Sequence, residues 1–223
     1  MDVKFDKEFP DRITGYRTLT FSADVVNSET SEEQKREMNE MAEAITSRYE
    51  VKDINTIPAI AATRSAYKKC GKDPNRYRPS QEQLMRRIVR GLGLYHVNAI
   101  VDAGNMLSLA TGCSVGCFDA DKIEGDTVTL GIGKEGEPYE GIGRGELNIS
   151  GLPVFRDSIG GIGTPTSDNE RTKLSLDTKR LFVTVHLFDP GVDAENVRNL
   201  FVDIFSRYAN ARNIEEKFYC PTV

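Results

Sequence analysis

Residues 98–111, NAIVDAGNMLSLAT, form the segment that decides the fold. Apolar residues cover it almost all round, which predicts a buried α-helix. Three polar residues, Asn98, Asp102 and Asn105, nevertheless recur at i, i+4 and i+7 and fall within an arc of about 60° on a helix. Because buried polar groups must be paired or face water, the stripe indicates either a cavity or a structural network in which Asp102 ties down a loop.

Helical patterns precede this segment and strand patterns follow it. Before it we predict strand structure within 13–26 and a helix that begins with residues 30–33. A second helix is predicted over 54–69, and a third begins at Ser80, which we expect to cap it together with Gln83. After it, alternation and turn residues predict strands at 115–118, 127–132, 146–149, 153–156 and 181–188, a glycine-rich loop over 157–172, and a last helix over 193–208. This order predicts an α+β fold with mostly antiparallel sheet layers and packed helices, in a single domain spanning residues 1–223.

Charge is distributed unevenly along the chain. The 223 residues carry a net charge of −5, yet residues 64–90 hold nine basic and two acidic residues, a local +7 against −12 elsewhere. Tyr67 and Tyr77 are interleaved with these basic residues. Such a stripe is typical of a polyanion-binding surface, and the alternative is a solvated helix face. If the stripe binds RNA, we expect phosphate contacts from Arg64, Lys68, Lys69, Arg86, Arg87 and Arg90.

Several function classes are disfavoured by composition. No run of eighteen apolar residues and no secretory signal is present, so we expect a cytoplasmic protein without a membrane partner. The four cysteines follow no disulfide pattern, and we expect Cys113 and Cys117 to pack beside a turn rather than bind a metal. Only two histidines occur, with no Walker loop and no GxSxG elbow, so neither metal nor cofactor is predicted.

Three motifs in series carry a family resemblance. They are Asn98-Ala-Ile-Val-Asp102-Ala-Gly-Asn105, then Cys117-Phe118-Asp119 with Gly125 following, then 160–163 (GGIG) with Ser167-Asp168 and Thr172. Over about residues 60–210 the chain resembles the B3/B4 module, the tRNA-editing domain of the phenylalanyl-tRNA synthetase β subunit, and looks like a free-standing form of it. The strand and helix before residue 60 would then be an N-terminal extension.

The resemblance implies a pocket that binds a misattached aromatic amino acid on tRNA and hydrolyses its ester. Such hydrolysis can proceed by positioning a water molecule and stabilising the oxyanion, so it needs no protein nucleophile. The residues expected to converge on one ligand cavity are Asn98, Asp102, Asn105, Asp119, Ser167 and Asp168. Asp168 is the residue we expect to recognise a polar group of the ligand, unless it caps the segment 169–172 instead.

Two positions depart from the family pattern. Ser167-Asp168 stands where the family has Ser-Glu, so the acid reaches one methylene less far. Gly116 stands where the family has a histidine, two residues before the Phe-Asp pair. We therefore expect either a trans-editing deacylase of misacylated tRNA or a non-catalytic module that binds RNA or an amino-acid-like ligand. If the basic stripe and the pocket bind one substrate together, we expect them to open on the same side of the protein.

Overall fold

A computed structural model describes residues 1–221 of the chain. Six helices are found in this part: α1 (Phe9–Arg12), α2 (Glu32–Arg48), α3 (Pro58–Lys69), α4 (Ser80–Val89), α5 (Ala99–Thr111) and α6 (Ala194–Ala209). Its strands are β1 (Asp2–Phe5), β2 (Arg17–Asp24), β3 (Ser114–Asp119), β4 (Thr127–Ile132), β5 (Glu140–Gly141), β6 (Gly145–Glu146), β7 (Pro153–Arg156), β8 (Gly161–Gly163), β9 (Arg180–Leu187) and β10 (Arg212–Tyr219).

The strands form two four-stranded sheets and one small hairpin. The first sheet has the order β1-β4-β7-β8 and the second β10-β2-β9-β3, while β5 pairs with β6. Only the β1–β4 pair is parallel among the described strands. The predicted α+β class with mostly antiparallel sheets is confirmed.

Strand β9 lies at the centre of the molecule and is buried on both faces. Its odd-numbered residues Leu181, Val183 and Val185 join the core that lies between the second sheet and helices α5 and α6. Phe182, one of its even-numbered residues, joins the core shared with the first sheet, together with Phe118 of β3. This two-sided burial explains why the sequence of β9 is almost continuously apolar rather than alternating.

Helix α5 is the buried helix that its sequence predicts. The side chain of Asn98 accepts a hydrogen bond from the Val101 amide and caps the helix, and Gly112 ends it in the left-handed conformation (φ +69°). Ile100, Ala103, Met106 and Leu107 are fully buried.

Several local expectations were wrong. Residues 30–33 have the pattern of a capping box opened by Thr30, but α2 is capped by Ser31, whose side chain accepts from the Gln34 amide. Helix α4 begins after Pro79 without a side-chain cap, so Ser80 and Gln83 do not form one. The helical spacing of Leu84, Ile88 and Leu92 predicts that all three face the core, whereas Leu92 is 58% exposed. The sequence analysis also missed β1, α1 and β10, the first and last of which lie at sheet edges.

The N-terminal residues are built into both sheets. Strand β1 pairs with β4, and β2 lies between β10 and β9 with eight residues paired to β9. Strand β2, which precedes residue 60, is therefore an interior strand of the second sheet.

Candidate nucleic-acid and ligand site

The loop after β8 is a hairpin turn held by several anchors. Gly163 and Asp168 pair across it, and the Thr164 amide donates to the Ser167 carbonyl at 3.1 Å. Pro165 presents its carbonyl to the Ser80 amide at 2.8 Å and to the hydroxyl of Ser114 at 3.0 Å. These contacts fix residues 164–167 against α4 and β3, which gives Ser167 a defined position.

A groove of about 460 Å³ opens beside this turn. We call it the arginine groove; it is lined by Arg78, Ser80, Gln83, Leu84, Arg86, Arg87, Arg90, Leu92, Tyr95, Asn105, Ile142, Arg144, Thr166 and Ser167. Its volume is within the range of about 300–1,000 Å³ that is usual for ligand sites. The groove brings together two residues of the predicted ligand set, Asn105 and Ser167, and three of the predicted RNA set, Arg86, Arg87 and Arg90.

The arginine groove is strongly basic. Among the described residues that line it, five are arginines and none is acidic. Two of these arginines, Arg78 and Arg144, were not predicted as contacts. Arg144 lies at the β5–β6 turn, far along the sequence from residues 64–90, so the composition of that stretch could not indicate it.

A buried glutamate behind the groove organises part of this charge. Glu82 is fully buried, and its carboxylate accepts from Arg64 at 2.8 Å and from Arg86 at 2.7 Å, while Arg78 lies at 3.9 Å. The side chain of Arg64 is only 11% exposed and does not line the groove. Arg64 therefore has a structural role, which does not support its predicted phosphate contact. Lys68 and Lys69 are exposed on α3 and lie outside the groove.

Asn98 and Asp102 do not reach the groove. Asn98 caps α5, as described above. Asp102 is fully buried and accepts from the Thr30 hydroxyl at 2.6 Å and from the Val97 amide at 3.3 Å, with His96 Nδ1 at 3.5 Å. Burial raises the pKa of Asp102, and the hydrogen bond from Thr30 opposes that shift. For these two residues the geometry is that of the structural alternative, in which Asp102 ties down a loop.

Asp119 has a structural position as well. Its carboxylate accepts from the Asp121 amide at 3.2 Å and from the Thr178 hydroxyl at 2.9 Å. Asp119 is absent from the groove lining. The predicted convergence of all six polar residues on one cavity is therefore not found in the structure.

Asp168 follows Ser167 in the chain but does not line the groove. Its Oδ2 accepts from the Cys117 amide of β3 at 3.2 Å. The protein surrounds the carboxyl closely, although the residue keeps a small exposed surface, and this burial raises its pKa to about 7. The cap of residues 170–172 is Asn169, whose side chain accepts from the Arg171 amide, so the alternative in which Asp168 caps this segment is wrong.

The space beside Gly116 is filled by Phe118. A Cβ atom placed on Gly116 would lie 2.7 Å from Phe118 Cζ, and one placed on Gly163 would lie 2.7 Å from Phe118 Cε1. The two glycines therefore leave room for the phenylalanine ring between β3 and β8. A histidine at position 116 would require that ring to move.

Burial makes the cysteines near the site poor nucleophiles. It raises the pKa of the Cys113 thiol to about 12, and it raises the pKa of Cys117 well above its ordinary value. Within residues 1–221 all four cysteines are free, no cluster of His, Cys, Asp or Glu could hold a metal ion, and no helix could cross a membrane.

Another concavity of about 530 Å³ lies at the edge of the second sheet. Its lining includes Asp24, Asp126, Arg180 and Glu215 and contains none of the predicted site residues. The arginine groove is the better candidate because it joins Asn105 of α5 and the 164–167 turn to five arginines with no acidic residue in the lining.

The chain belongs to the B3/4 domain family, whose sequence profile it matches over residues 62–220. That match includes α5, the turn 164–167 and every residue that lines the arginine groove.

Curated relatives support the same membership. The chain is 30% identical over 138 residues to the phenylalanine–tRNA ligase beta subunit of Bartonella quintana (strain Toulouse), covering 61% of this chain and 17% of the relative. It is 30% identical over 134 residues to the subunit of the same name from Fusobacterium nucleatum subsp. nucleatum, covering 57% and 16%. The chain thus spans less than a fifth of the length of these relatives. Among solved structures, an N-terminal fragment of the phenylalanyl-tRNA synthetase beta subunit from Pyrococcus horikoshii aligns with 99% of this chain and 54% of its own, at 14% identity and a TM-score of 0.49.

Proposed function

We propose that this protein binds the acceptor end of an aminoacylated tRNA and acts as a trans-editing deacylase of tRNA that carries the wrong aromatic amino acid. The observation that carries the proposal is the arginine groove, in which Asn105 and Ser167 lie beside Arg86, Arg87 and Arg90. A shared substrate requires the basic surface and the ligand residues to open on one side, and the groove meets that requirement.

The charge of the groove supports a phosphate-bearing partner. Arginine guanidiniums bind phosphate oxygens in paired hydrogen bonds. The buried carboxylate of Glu82, which pairs with Arg86, does not line the groove. Arg90 is exposed at the end of α4 and makes no side-chain hydrogen bond within the described residues, so it is available to a ligand. Phosphate contacts position an RNA without reading its sequence.

The turn 164–167 supplies the groups that would meet the amino acid. Ser167 and Asn105 offer a hydroxyl and an amide at the groove, and Asp168 is the next residue along the chain after Ser167. A carboxyl whose pKa is about 7 is partly protonated at neutral pH, so Asp168 can donate to or accept from a hydroxyl on the ligand. In the proposed complex, Asp168 recognises a polar group such as the phenol of tyrosine.

The proposed hydrolysis is carried by a bound water molecule. The Cys117 thiol stays protonated because burial raises its pKa, so it does not act as a nucleophile. Attack by water on the ester carbonyl needs a fixed carbonyl and hydrogen-bond donors for the oxyanion. The Ser167 hydroxyl and the Asn105 side-chain amide, which line the groove, are the groups best placed to supply them, because the amides of the 164–167 turn already donate within it.

One observation favours a second candidate, a non-catalytic module that binds RNA or an amino-acid-like ligand. Phe118 fills the space beside Gly116, where the family resemblance expects a histidine. If that histidine were needed for hydrolysis, this chain would keep binding and lose turnover.

A deacylation assay separates the two candidates. Tyrosyl-tRNA and phenylalanyl-tRNA, both made on the phenylalanine tRNA, are incubated with the protein, and the remaining ester is followed over time. Binding of the same tRNAs is measured in parallel by filter retention. Release of tyrosine faster than in buffer supports the deacylase, and binding without release supports an RNA-binding module. Binding of neither tRNA at low salt contradicts both of these and leaves only a module for a free amino-acid-like ligand.

The role of Asp168 is tested with Asp168→Ala. If Asp168 contacts the ligand, we expect a change in ligand preference or turnover equivalent to about 1–3 kcal/mol, with the fold retained. Asp121→Ala, which alters an exposed aspartate outside the groove, is the matched control. A lower melting temperature with unchanged binding and turnover would show that Asp168 only ties the turn to β3.

A further inference from the structure

Tyr95 is an exposed aromatic ring at the edge of the arginine groove. It is 65% exposed, and two apolar residues that also line the groove, Leu92 and Ile142, are 58% and 40% exposed. Large apolar side chains usually avoid such exposure when they form a cluster. Their position beside five arginines distinguishes this cluster from the scattered exposed residues elsewhere on the surface.

Arg87 covers one face of the Tyr95 ring. Its guanidinium carbon lies 3.7 Å from the ring centroid, and its nitrogens donate to the Tyr95 hydroxyl at 2.9 Å and to the Leu92 carbonyl at 3.0 Å. These contacts hold the guanidinium and the ring as a pair. With one face on Arg87 and most of the side chain exposed, the ring keeps surface free for a second planar group.

The segment that carries Tyr95 is fixed from its other side by the buried carboxylate of α5. Asp102 accepts from the Val97 amide at 3.3 Å and lies 3.5 Å from His96 Nδ1. The ring is therefore presented from a loop restrained by Arg87 on one side and Asp102 on the other. A restrained aromatic ring loses little conformational entropy when a ligand stacks on it.

We propose that Arg87 and Tyr95 form a stacking platform for an unpaired base of the RNA whose phosphates lie along the groove. This inference rests on the proposed function and adds the residues that would hold the unpaired end of its RNA. Aromatic and guanidinium faces accept any base, while neighbouring arginines hold the backbone, which is the usual arrangement for binding single-stranded nucleic acid. A blunt duplex offers the phosphates but no free base.

The experiment compares two RNA hairpins with the same stem, one ending in four unpaired 3′ nucleotides and one blunt. Their affinities are measured by fluorescence anisotropy over a range of salt concentrations for the parent protein, Tyr95→Ala, Tyr95→Trp and Arg90→Glu. We expect Tyr95→Ala to weaken binding of the hairpin with the overhang by about 5- to 150-fold, to leave the blunt hairpin unaffected and to keep both salt slopes. Tyr95→Trp keeps an aromatic ring and should restore the preference for the overhang. Arg90→Glu should weaken both hairpins and lower both salt slopes.

These results separate the platform from the proposed function. If Tyr95→Ala leaves overhang binding unchanged, or weakens both hairpins equally, the platform is refuted, while a loss of binding in Arg90→Glu would still support the groove as an RNA site. If the parent protein binds neither hairpin at low salt, the proposed function fails and the platform fails with it.

Discussion

Removing the negative charge of Glu82 should destabilise the protein strongly. The carboxylate is fully buried and lies within 2.8 Å of the guanidinium nitrogens of Arg64 and Arg86, whose side chains are only 11% and 15% exposed. Glu82→Gln keeps the shape of the side chain but leaves two largely buried cations without a counter-charge. Breaking a buried ion pair from one side costs about 3–5 kcal/mol. Arg78, at 3.9 Å and 42% exposed, should add little.

Urea unfolding followed by circular dichroism gives the free energy of unfolding directly. For a chain of this length, a loss of about 3–5 kcal/mol corresponds to a melting temperature lower by about 6–20 °C. Glu43→Gln, on the exposed face of α2, is the matched control and should stay within about 0.5 kcal/mol of the parent.

A double-mutant cycle tests whether the loss comes from the ion pair. The double variant Arg64→Gln/Glu82→Gln should be less destabilised than the sum of the single variants, because Arg64→Gln removes a cation that Glu82→Gln alone leaves unpaired. A loss below about 1 kcal/mol in Glu82→Gln, or strict additivity in the cycle, would refute the reasoning. Below its melting temperature the variant should still bind RNA, since Arg86 and Arg78 would be released toward the groove.

Three further predictions concern the buried interior. Asp102→Ala leaves the Thr30 hydroxyl and the Val97 amide without their acceptor, so urea unfolding should show a loss of about 1–3 kcal/mol. Gly163→Ala places a methyl group 2.7 Å from Phe118 Cε1, and thermal melts should show it destabilised by about 1–3 kcal/mol, whereas similar stability would mean that the ring is free to move. Burial lowers the pKa of His186 to about 3. The imidazole therefore stays neutral in the folded protein, whereas in the unfolded chain it takes up a proton below about pH 6.5. As the pH falls from about 6 to 4, the parent should therefore lose about 1.4 kcal/mol of stability per pH unit relative to His186→Gln, and parallel pH profiles in urea titrations would contradict this assignment.

Asp168 contributes to pH dependence with the opposite sign. The pKa of Asp168 in the folded protein is raised to about 7, so folding favours the protonated carboxyl. The contribution of Asp168 to the free energy of unfolding is therefore complete at acid pH and is lost as the pH rises from about 4 to 7. The two groups partly cancel in the parent protein. The comparison with His186→Gln isolates the histidine because Asp168 is common to both proteins.

The sequence alone determined the elements whose patterns are local. Helix α5 was predicted to within one residue, because an apolar run with a polar cap at one end and a glycine at the other leaves few alternatives. The α+β class followed from the order of periodic segments, and the family followed from three motifs in series. Edge strands β1 and β10 were missed because an edge strand is only half buried and its pattern is weak.

Only the tertiary structure decided which polar residues face a ligand. Asn98, Asp102 and Asn105 share one stripe of α5, yet the first caps the helix, the second binds Thr30 and only the third reaches the groove. Likewise Arg64 and Arg90 belong to the same basic stretch, but a single buried carboxylate turns Arg64 inward, and Arg144 arrives from a distant hairpin. Helical periodicity and local charge specify the side of an element on which a residue lies. The partner it meets there depends on segments that are far away in sequence and become neighbours only when the sheets and helices pack.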